Sequence, residues 1–142
     1  MSPGDDLRRA LEEAYARLRT ALARRDLGAF RDLAEPAPSS PGDWEETAAG
    51  LEDSFPPPEE TRFLAVREAG DWAGYYFETE LGDRKYATLE LLRFRRTAGG
   101  WKLSGGPVAS QVERPPDPAA LLELVRDDPF LRLPGEPGYE EE

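Results

Sequence analysis

The sequence predicts an α+β fold, in which N-terminal helices pack on a curved four-stranded antiparallel sheet and a short C-terminal helix follows. Three observations support this prediction. Apolar residues recur at helical spacing up to Phe55, three prolines at residues 56–58 end that pattern, and strand-like segments rich in β-branched and aromatic residues come next. The 142 residues are enough for one hydrophobic core, so we expect a single domain over residues 1–134.

Three helices are expected before the prolines, and the first covers residues 5–25. Its apolar stripe recurs every three or four positions and consists of Leu7, Leu11, Tyr15, Leu18 and Leu22. Asp26 is expected to cap a second helix over residues 27–35, although its carboxylate is also a candidate pocket acid. A proline- and serine-rich loop follows, and Ser40 is the predicted N-cap of a third helix that ends at Phe55.

Four strands are expected after the prolines, because short glycine-bearing gaps of the kind found in hairpin turns separate four segments. These segments are residues 61–68, 72–80, 85–96 and 101–112. The last one is interrupted by Gly-Gly-Pro at residues 105–107, which indicates another bend.

The third strand segment changes its pattern of alternation. Ala87, Leu89 and Leu91 share one phase, whereas Leu92 and Phe94 take the other. A β-bulge shifts the phase by one residue and bends a strand, so we predict a bulge near Leu91 and a curved sheet.

The C-terminal region contains one more expected helix and a tail. Asp-Pro at residues 117–118 predicts the start of a short helix that ends near Arg126. Residues 135–142 end in three glutamates, and we expect this acidic tail to be disordered.

Composition excludes several classes of protein. Lys and Arg number 18 against 29 Asp and Glu, and a net charge of −11 argues against binding to nucleic acid or to an anionic membrane. The chain has no Cys and no His, which excludes disulfides, thiolate or imidazole metal sites and catalysis by Ser-His or Cys-His pairs. We therefore expect no metal and no cofactor. An acidic N-terminus and the lack of an apolar run of roughly 20 residues predict a cytoplasmic protein.

Two segments resemble the nuclear-transport-factor-2-like superfamily, which includes the SnoaL-like polyketide cyclases and the ketosteroid isomerases. They are residues 23–30, where Asp26 opens the second helix, and residues 91–103, with a turn followed by Gly-Trp-Lys. The resemblance covers about residues 5–112. It implies a cystatin-like cone, in which the sheet wraps the first helix around a cavity, and a homodimer formed sheet to sheet. The family often has a strand between the second and third helices, but here that segment is rich in proline and serine, so we expect a short strand or none.

Candidate cavity residues follow from the expected cone. Tyr15 is the polar-tipped member of the first helix's stripe, and a buried phenol needs a partner such as a ligand oxygen. The resemblance to ketosteroid isomerases implies an acid beside such a tyrosine, and Glu78 and Glu90 are both open as that acid, because a one-residue slip moves a strand residue to the other face. The full set of candidate ligand-binding residues is Tyr15, Trp44, Tyr76, Glu78, Glu90 and Arg93. For Tyr15, core packing is favoured over a catalytic role.

Two surface features leave alternatives open. Arg93 and Arg95 share a strand face and either bind a carboxylate or phosphate or remain solvated and paired with the many acidic residues. Aromatic residues occur on both faces of the second strand, which favours a covered outer face. A homodimer is the preferred cover, and the C-terminal helix with its tail is the alternative.

The function that these observations favour is a non-catalytic module that binds a small apolar molecule in its cavity or a protein partner on its sheet. The alternative is a cofactor-free isomerase, cyclase or dehydratase that uses a tyrosine donor and a carboxylate base, since Asp, Glu and Tyr alone can transfer protons. No catalytic residue is assigned.

Overall fold

A computed structural model of the chain describes residues 3–35, 44–105, 107–134 and 136. The helices are α1 (Pro3–Ala23), α2 (Leu27–Leu33), α3 (Trp44–Ser54) and α4 (Ala120–Asp127). The strands are β1 (Ala34–Glu35), β2 (Arg62–Ala69), β3 (Trp72–Thr79), β4 (Tyr86–Thr97), β5 (Gly100–Ser104) and β6 (Val108–Glu113). Short 3-10 turns cover Pro58–Glu60 and Pro129–Leu131. The predicted α+β class is confirmed.

The helices form where the sequence periodicity places them. Leu11, Leu18 and Leu22 of α1 are buried, because their spacing puts them on one side of the helix. Asp26 caps α2, and its Oδ1 accepts a hydrogen bond of 3.0 Å from the amide of Ala29, as predicted. The predicted cap Ser40 and its loop lie outside the described residues.

The sheet has six strands and is mixed, so the prediction of four antiparallel strands is corrected. The strand order is β1-β5-β4-β3-β2, and β6 also pairs with β4. β1 runs parallel to β5 and is two residues long, which agrees with the expected short strand. The predicted fourth strand is split into β5 and β6. Leu103 pairs with Phe94 and Val108 pairs with Leu91, so an advance of five residues along this segment matches an advance of only three residues along β4. Gly105 lies between the two strands and adopts a φ of 78°, which glycine tolerates readily.

The predicted bulge near Leu91 is wrong. The pairing of β3 with β4 runs without a break from Trp72 opposite Arg95 to Thr79 opposite Thr88. Apolar residues occupy both phases of β4 because the strand is buried on two faces. A register shift occurs instead in β2, between Phe63 and Ala65.

Each face of the sheet has its own hydrophobic core. The helix face, which packs against α1, α2 and α3, contributes Ala73, Phe77, Leu92, Phe94 and Leu103. The outer face contributes Tyr76, Ala87, Leu89 and Leu91. Leu121 and Val125 of α4 and Leu131 and Leu133 beyond it complete this second core. We call residues 120–134 the C-terminal cover.

The C-terminal cover is the alternative that the sequence left open for the outer face. It buries the same aromatic surface that favoured a homodimer, and Tyr76 is fully buried beneath it. The homodimer therefore stays a prediction, and the aromatic outer face no longer supports it. Within the described ranges, no helix is both long enough and apolar enough to cross a membrane.

Candidate functional site

A cavity of about 550 Å³ lies between α1 and the helix face of the sheet. One wall is α1, the floor is β3, and the segment around the Pro58–Glu60 turn closes one side. Its lining residues are Glu12, Tyr15, Ala16, Arg19, Thr20, Ala23, Pro58, Thr61, Tyr75 and Phe77.

The helical wall of the cavity is a stripe beside the buried leucines of α1. Glu12, Ala16, Arg19 and Ala23 follow one another at spacings of four, three and four, so they share one side of the helix. The alanines are short, and their methyl groups do not reach across to the sheet. Small side chains on this stripe therefore leave the space open.

The floor is aromatic and has one polar tip. Tyr75 and Phe77 alternate on β3, and the ring of Tyr75 lies 5.4 Å from that of Phe63 and 5.9 Å from that of Phe77. The Tyr75 hydroxyl donates to Oε2 of Glu12 at 3.0 Å. Burial, and then the hydrogen bond to Glu12, raise the pKa of Tyr75 well above its usual range, so the phenol remains neutral.

Tyr15 lies at the inner end of the cavity and is 7% exposed. Its hydroxyl donates to the carbonyl oxygen of Pro56 at 2.7 Å, across 41 residues of sequence. Burial raises the pKa of Tyr15, the positive charge of Arg19 opposes that rise, and the negative charge of Glu90 adds to it. Tyr15 is therefore a neutral donor that binds the proline connector.

Arg19 is the cation of the cavity. Its Nε donates to the carbonyl oxygen of Phe55 at 3.2 Å. This bond and that of Tyr15 hold the connector after α3 against α1. The guanidinium has four further N–H donors on its two terminal nitrogens.

Glu90 is the sequence-predicted acid that lies on the same face as Tyr15. It opposes Phe77 in the β3–β4 pairing, and its Oε2 accepts a 2.6 Å bond from the Thr79 hydroxyl. It lines a neighbouring groove of about 700 Å³ together with Asp53, Glu60 and Glu80. The groove is acidic, whereas the Tyr15 cavity is mainly apolar.

Tyr76, Glu78 and Arg93 lie on the outer face, so the expectation that they share a cavity with Tyr15 is corrected. Strand alternation decides this, because Tyr75 and Phe77 face the helices and Tyr76 and Glu78 therefore do not. Arg93 opposes Gly74, which lies on the same outer face. Whether any of the three binds a ligand on that face stays a prediction.

Each of these outer-face groups has partners within the chain. The Tyr76 hydroxyl donates to the Leu131 carbonyl oxygen at 2.9 Å and accepts from Arg67 Nε at 3.0 Å. Burial raises the pKa of Tyr76 to about 12, although the charge of Arg67 opposes the rise. These contacts tie the C-terminal cover to β2 and β3.

Glu78 is fully buried between two arginines. Its Oε1 accepts a bond from Arg62 Nη1 at 3.3 Å. Nη1 of Arg114 lies 2.8 Å from Oε2, outside hydrogen-bond geometry, so that contact is an ion pair. Glu78 is thus a buried structural anion.

Trp44 begins α3 and belongs to the helix-face core. It is 5% exposed, its Nε1 donates to the Arg25 carbonyl oxygen at 2.7 Å, and its ring lies 5.1 Å from that of Phe30. It is not among the residues that line the Tyr15 cavity.

Sequence reasoning missed Glu12, Arg19 and Tyr75 as cavity residues. Glu12 lies three positions before Tyr15, and Arg19 lies four positions after it, so helical spacing was the available signal. Their charge favoured a solvated face instead. Among the described residues, no group of three or more acidic side chains is arranged to hold a metal ion.

A search against protein-family models finds no match to this sequence, and a search of curated proteins finds none either.

Proposed function

We propose that this protein is a non-catalytic module that binds a small, largely apolar molecule in the Tyr15 cavity. The observation that supports this most directly is the cavity itself, which at about 550 Å³ falls within the size range of small-molecule sites. Its floor is aromatic, and a few polar groups converge on it. That combination of apolar surface and few polar groups is typical of ligand sites.

Binding rather than catalysis is favoured by how the polar groups are used. The Tyr15 hydroxyl donates to Pro56, and the Tyr75 hydroxyl donates to Glu12. Glu90, the candidate base that lines the neighbouring groove, accepts from Thr79. A base must reach the proton that it removes, and each of these groups is held by another part of the chain.

The alternative, a cofactor-free isomerase, cyclase or dehydratase, is supported by a single observation. The charge of Glu90 acts on the Tyr15 phenol, so a donor and a carboxylate are near each other on the helix face. However, Glu90 lines the acidic groove, and Tyr15 lines the apolar cavity. A substrate in the apolar cavity would meet the Tyr15 phenol and not the Glu90 carboxylate, and the carboxylate that does line this cavity, Glu12, accepts from Tyr75.

We also propose that the domain is a nuclear-transport-factor-2-like cone. The long α1 packed on a sheet, the Asp26 cap and the β4–β5 hairpin with Gly-Trp-Lys at residues 100–102 support this proposal. The C-terminal cover is an addition beyond the resembling segment.

The proposed function is tested by titrating the protein with N-phenyl-1-naphthylamine, a neutral apolar fluorophore. We expect saturable binding of one fluorophore per chain. Ala16→Trp places a large side chain in the cavity and is expected to weaken that binding by at least about tenfold. Ala49→Trp is the matched control, because Ala49 is exposed on α3 and does not line this cavity.

Two results would contradict the proposal. The first is fluorescence that does not saturate. The second is equal affinity in Ala16→Trp and the parent protein, provided that both variants give the circular dichroism spectrum of the parent.

A further inference from the structure

We propose that the cavity binds an apolar molecule that ends in a carboxylate, and that Arg19 binds this carboxylate. The inference rests on the proposed function and names the class of its ligand. It follows from the partners of Arg19, from the charge balance of the cavity and from the position of the acidic groove.

Arg19 has spare donors and no carboxylate partner among the described residues. Its Nε is bonded to the Phe55 carbonyl oxygen, and no described Asp or Glu lies within ion-pair distance of its guanidinium. Among the described arginines, Arg24, Arg84 and Arg132 also have no ion pair. Arg24 and Arg84 are exposed to water, and Arg132 is half-buried in the C-terminal cover, away from the cavity, whereas Arg19 is half-buried in the cavity wall. In a chain with 29 acidic and 18 basic residues, a half-buried arginine without a carboxylate has the chemistry of an anion-binding group.

Of the two charged residues that line the cavity, only Arg19 lacks an oppositely charged partner. The other charged lining residue is Glu12, and Oε2 of Glu12 lies 3.4 Å from Nε of Arg8 and accepts from the Tyr75 hydroxyl. The charge of Glu12 is therefore compensated by Arg8. The charge of Arg19 is compensated only by a carbonyl dipole.

The Phe55 carbonyl orients the guanidinium. Since Nε is engaged there, the two terminal nitrogens remain as a planar pair of donors. Two parallel N–H groups match the two oxygens of a carboxylate, and such charge-assisted pairs are about twice as strong as neutral hydrogen bonds. Arg19 therefore requires little reordering on binding.

The acidic groove fixes the direction of the ligand. Glu90, Asp53, Glu60 and Glu80 line that groove and repel an anion. A carboxylate at Arg19 leaves the rest of the molecule to lie over Phe77 and the ring of Tyr75, which form the apolar floor. One end of the ligand is thus charged, and the body is apolar.

The test compares decanoate with decan-1-ol by isothermal titration calorimetry at neutral pH. The alcohol transfers more readily from water to an apolar site, so a cavity without a cation site would favour it. We expect decanoate to bind at least about tenfold more tightly. Arg19→Gln is expected to remove that preference while keeping the affinity for decan-1-ol.

Arg17→Gln is the matched control. It makes the same change in charge two residues away, on a side chain that is 68% exposed, paired with Glu13 and outside the cavity. We expect it to keep the preference for decanoate. Arg19→Lys retains the charge and is expected to keep part of the preference, and it serves in place of Arg19→Gln if the latter does not fold.

The outcomes separate this inference from the proposed function. Equal binding of both probes, or a preference for decanoate that is undiminished in Arg19→Gln or in the Arg19→Lys variant that replaces it, would overturn the role of Arg19 and leave the cavity as a ligand site. Failure of both probes and of the neutral fluorophore to bind would overturn the two proposals together.

Discussion

The two faces of the sheet use neighbouring tyrosines in opposite ways. Tyr75 faces the helices, and its hydroxyl reaches Glu12 at the edge of an open cavity. Tyr76, the next residue, is fully buried under the C-terminal cover and bonds to Arg67 and Leu131. Aromatic content alone therefore does not distinguish a ligand site from a packed layer.

The difference arises from what covers each face. Over the outer face, Leu121, Val125, Leu131 and Leu133 fill the space against the sheet. Over part of the helix face, α1 presents Ala16 and Ala23, which leave the cavity open. On the outer face, Tyr76 and Glu78 are engaged by other groups of the chain, whereas Arg19 on the helix face has donors to spare. We therefore expect outer-face substitutions to affect stability, and cavity substitutions to affect binding.

Arg114→Met is expected to have the largest effect on stability. Arg114 lies 2.8 Å from the buried Glu78, and it also donates to the carbonyl oxygens of Asp83 at 3.0 Å and Tyr86 at 3.1 Å. Its removal leaves Glu78 with Arg62 alone, and an incompletely paired buried charge is strongly destabilising. We expect the free energy of unfolding, measured in urea, to fall by about 3 kcal/mol or more.

Two controls show whether the buried charge causes this loss. Arg17→Met removes an exposed arginine and is expected to change stability by less than about 1 kcal/mol. Adding Glu78→Leu to Arg114→Met removes the stranded charge and is expected to restore part of the lost stability. A loss in Arg114→Met no larger than that in Arg17→Met would mean that Arg62 alone compensates Glu78.

Gly74→Ala tests whether the outer face is as fully packed as the comparison requires. A Cβ at residue 74 would lie 2.8 Å from Cε2 of Tyr76, 2.9 Å from Cδ1 of Leu91 and 3.0 Å from Cδ2 of Leu133. Overpacking of this kind costs about 1–3 kcal/mol, which urea unfolding would detect.

Gly50→Ala is the matched control for that substitution. Gly50 lies in α3, a Cβ there would meet nothing within 4 Å, and alanine favours helix. We expect it to raise stability by about 0.5–1 kcal/mol. If Gly74→Ala were as stable as the parent protein, the C-terminal cover would pack loosely, and the contrast between the two faces would fail.

Most of the secondary structure was predictable because its signals are local. Helical spacing placed α1 and α3, Asp26 marked the start of α2, and glycine-bearing gaps separated the strands. The alternation in β4 was misread, because a bulge and a strand buried on both faces both bring apolar residues together at Leu91 and Leu92. Only knowledge of what covers each face separates those explanations.

The candidate site was predictable in part. Tyr15 was identified because it is a polar-tipped residue on an apolar stripe, and it does line the cavity. Arg19 and Glu12 flank that stripe, and charged residues in this position are solvated in most helices. Their partners, Phe55 and Tyr75, are 36 and 63 residues away, and local patterns do not show such distant contacts.

Glu136→Ala is expected to have the smallest of these effects, and it tests how the outer face is closed. The carboxylate of Glu136 accepts bonds from the Leu133 amide at 2.5 Å and from Arg67 Nη2 at 3.2 Å, although the sequence favoured an unpacked tail from residue 135. Loss of these bonds is expected to cost about 1 kcal/mol, or roughly 3–5 °C in Tm by calorimetry. Deletion of residues 135–142 should lower Tm by a similar amount, whereas Glu123→Ala, at an exposed site on α4, should not. An unchanged Tm in both Glu136→Ala and the deletion would show that the cover is held by Arg67, Tyr76 and its leucines without help from the tail.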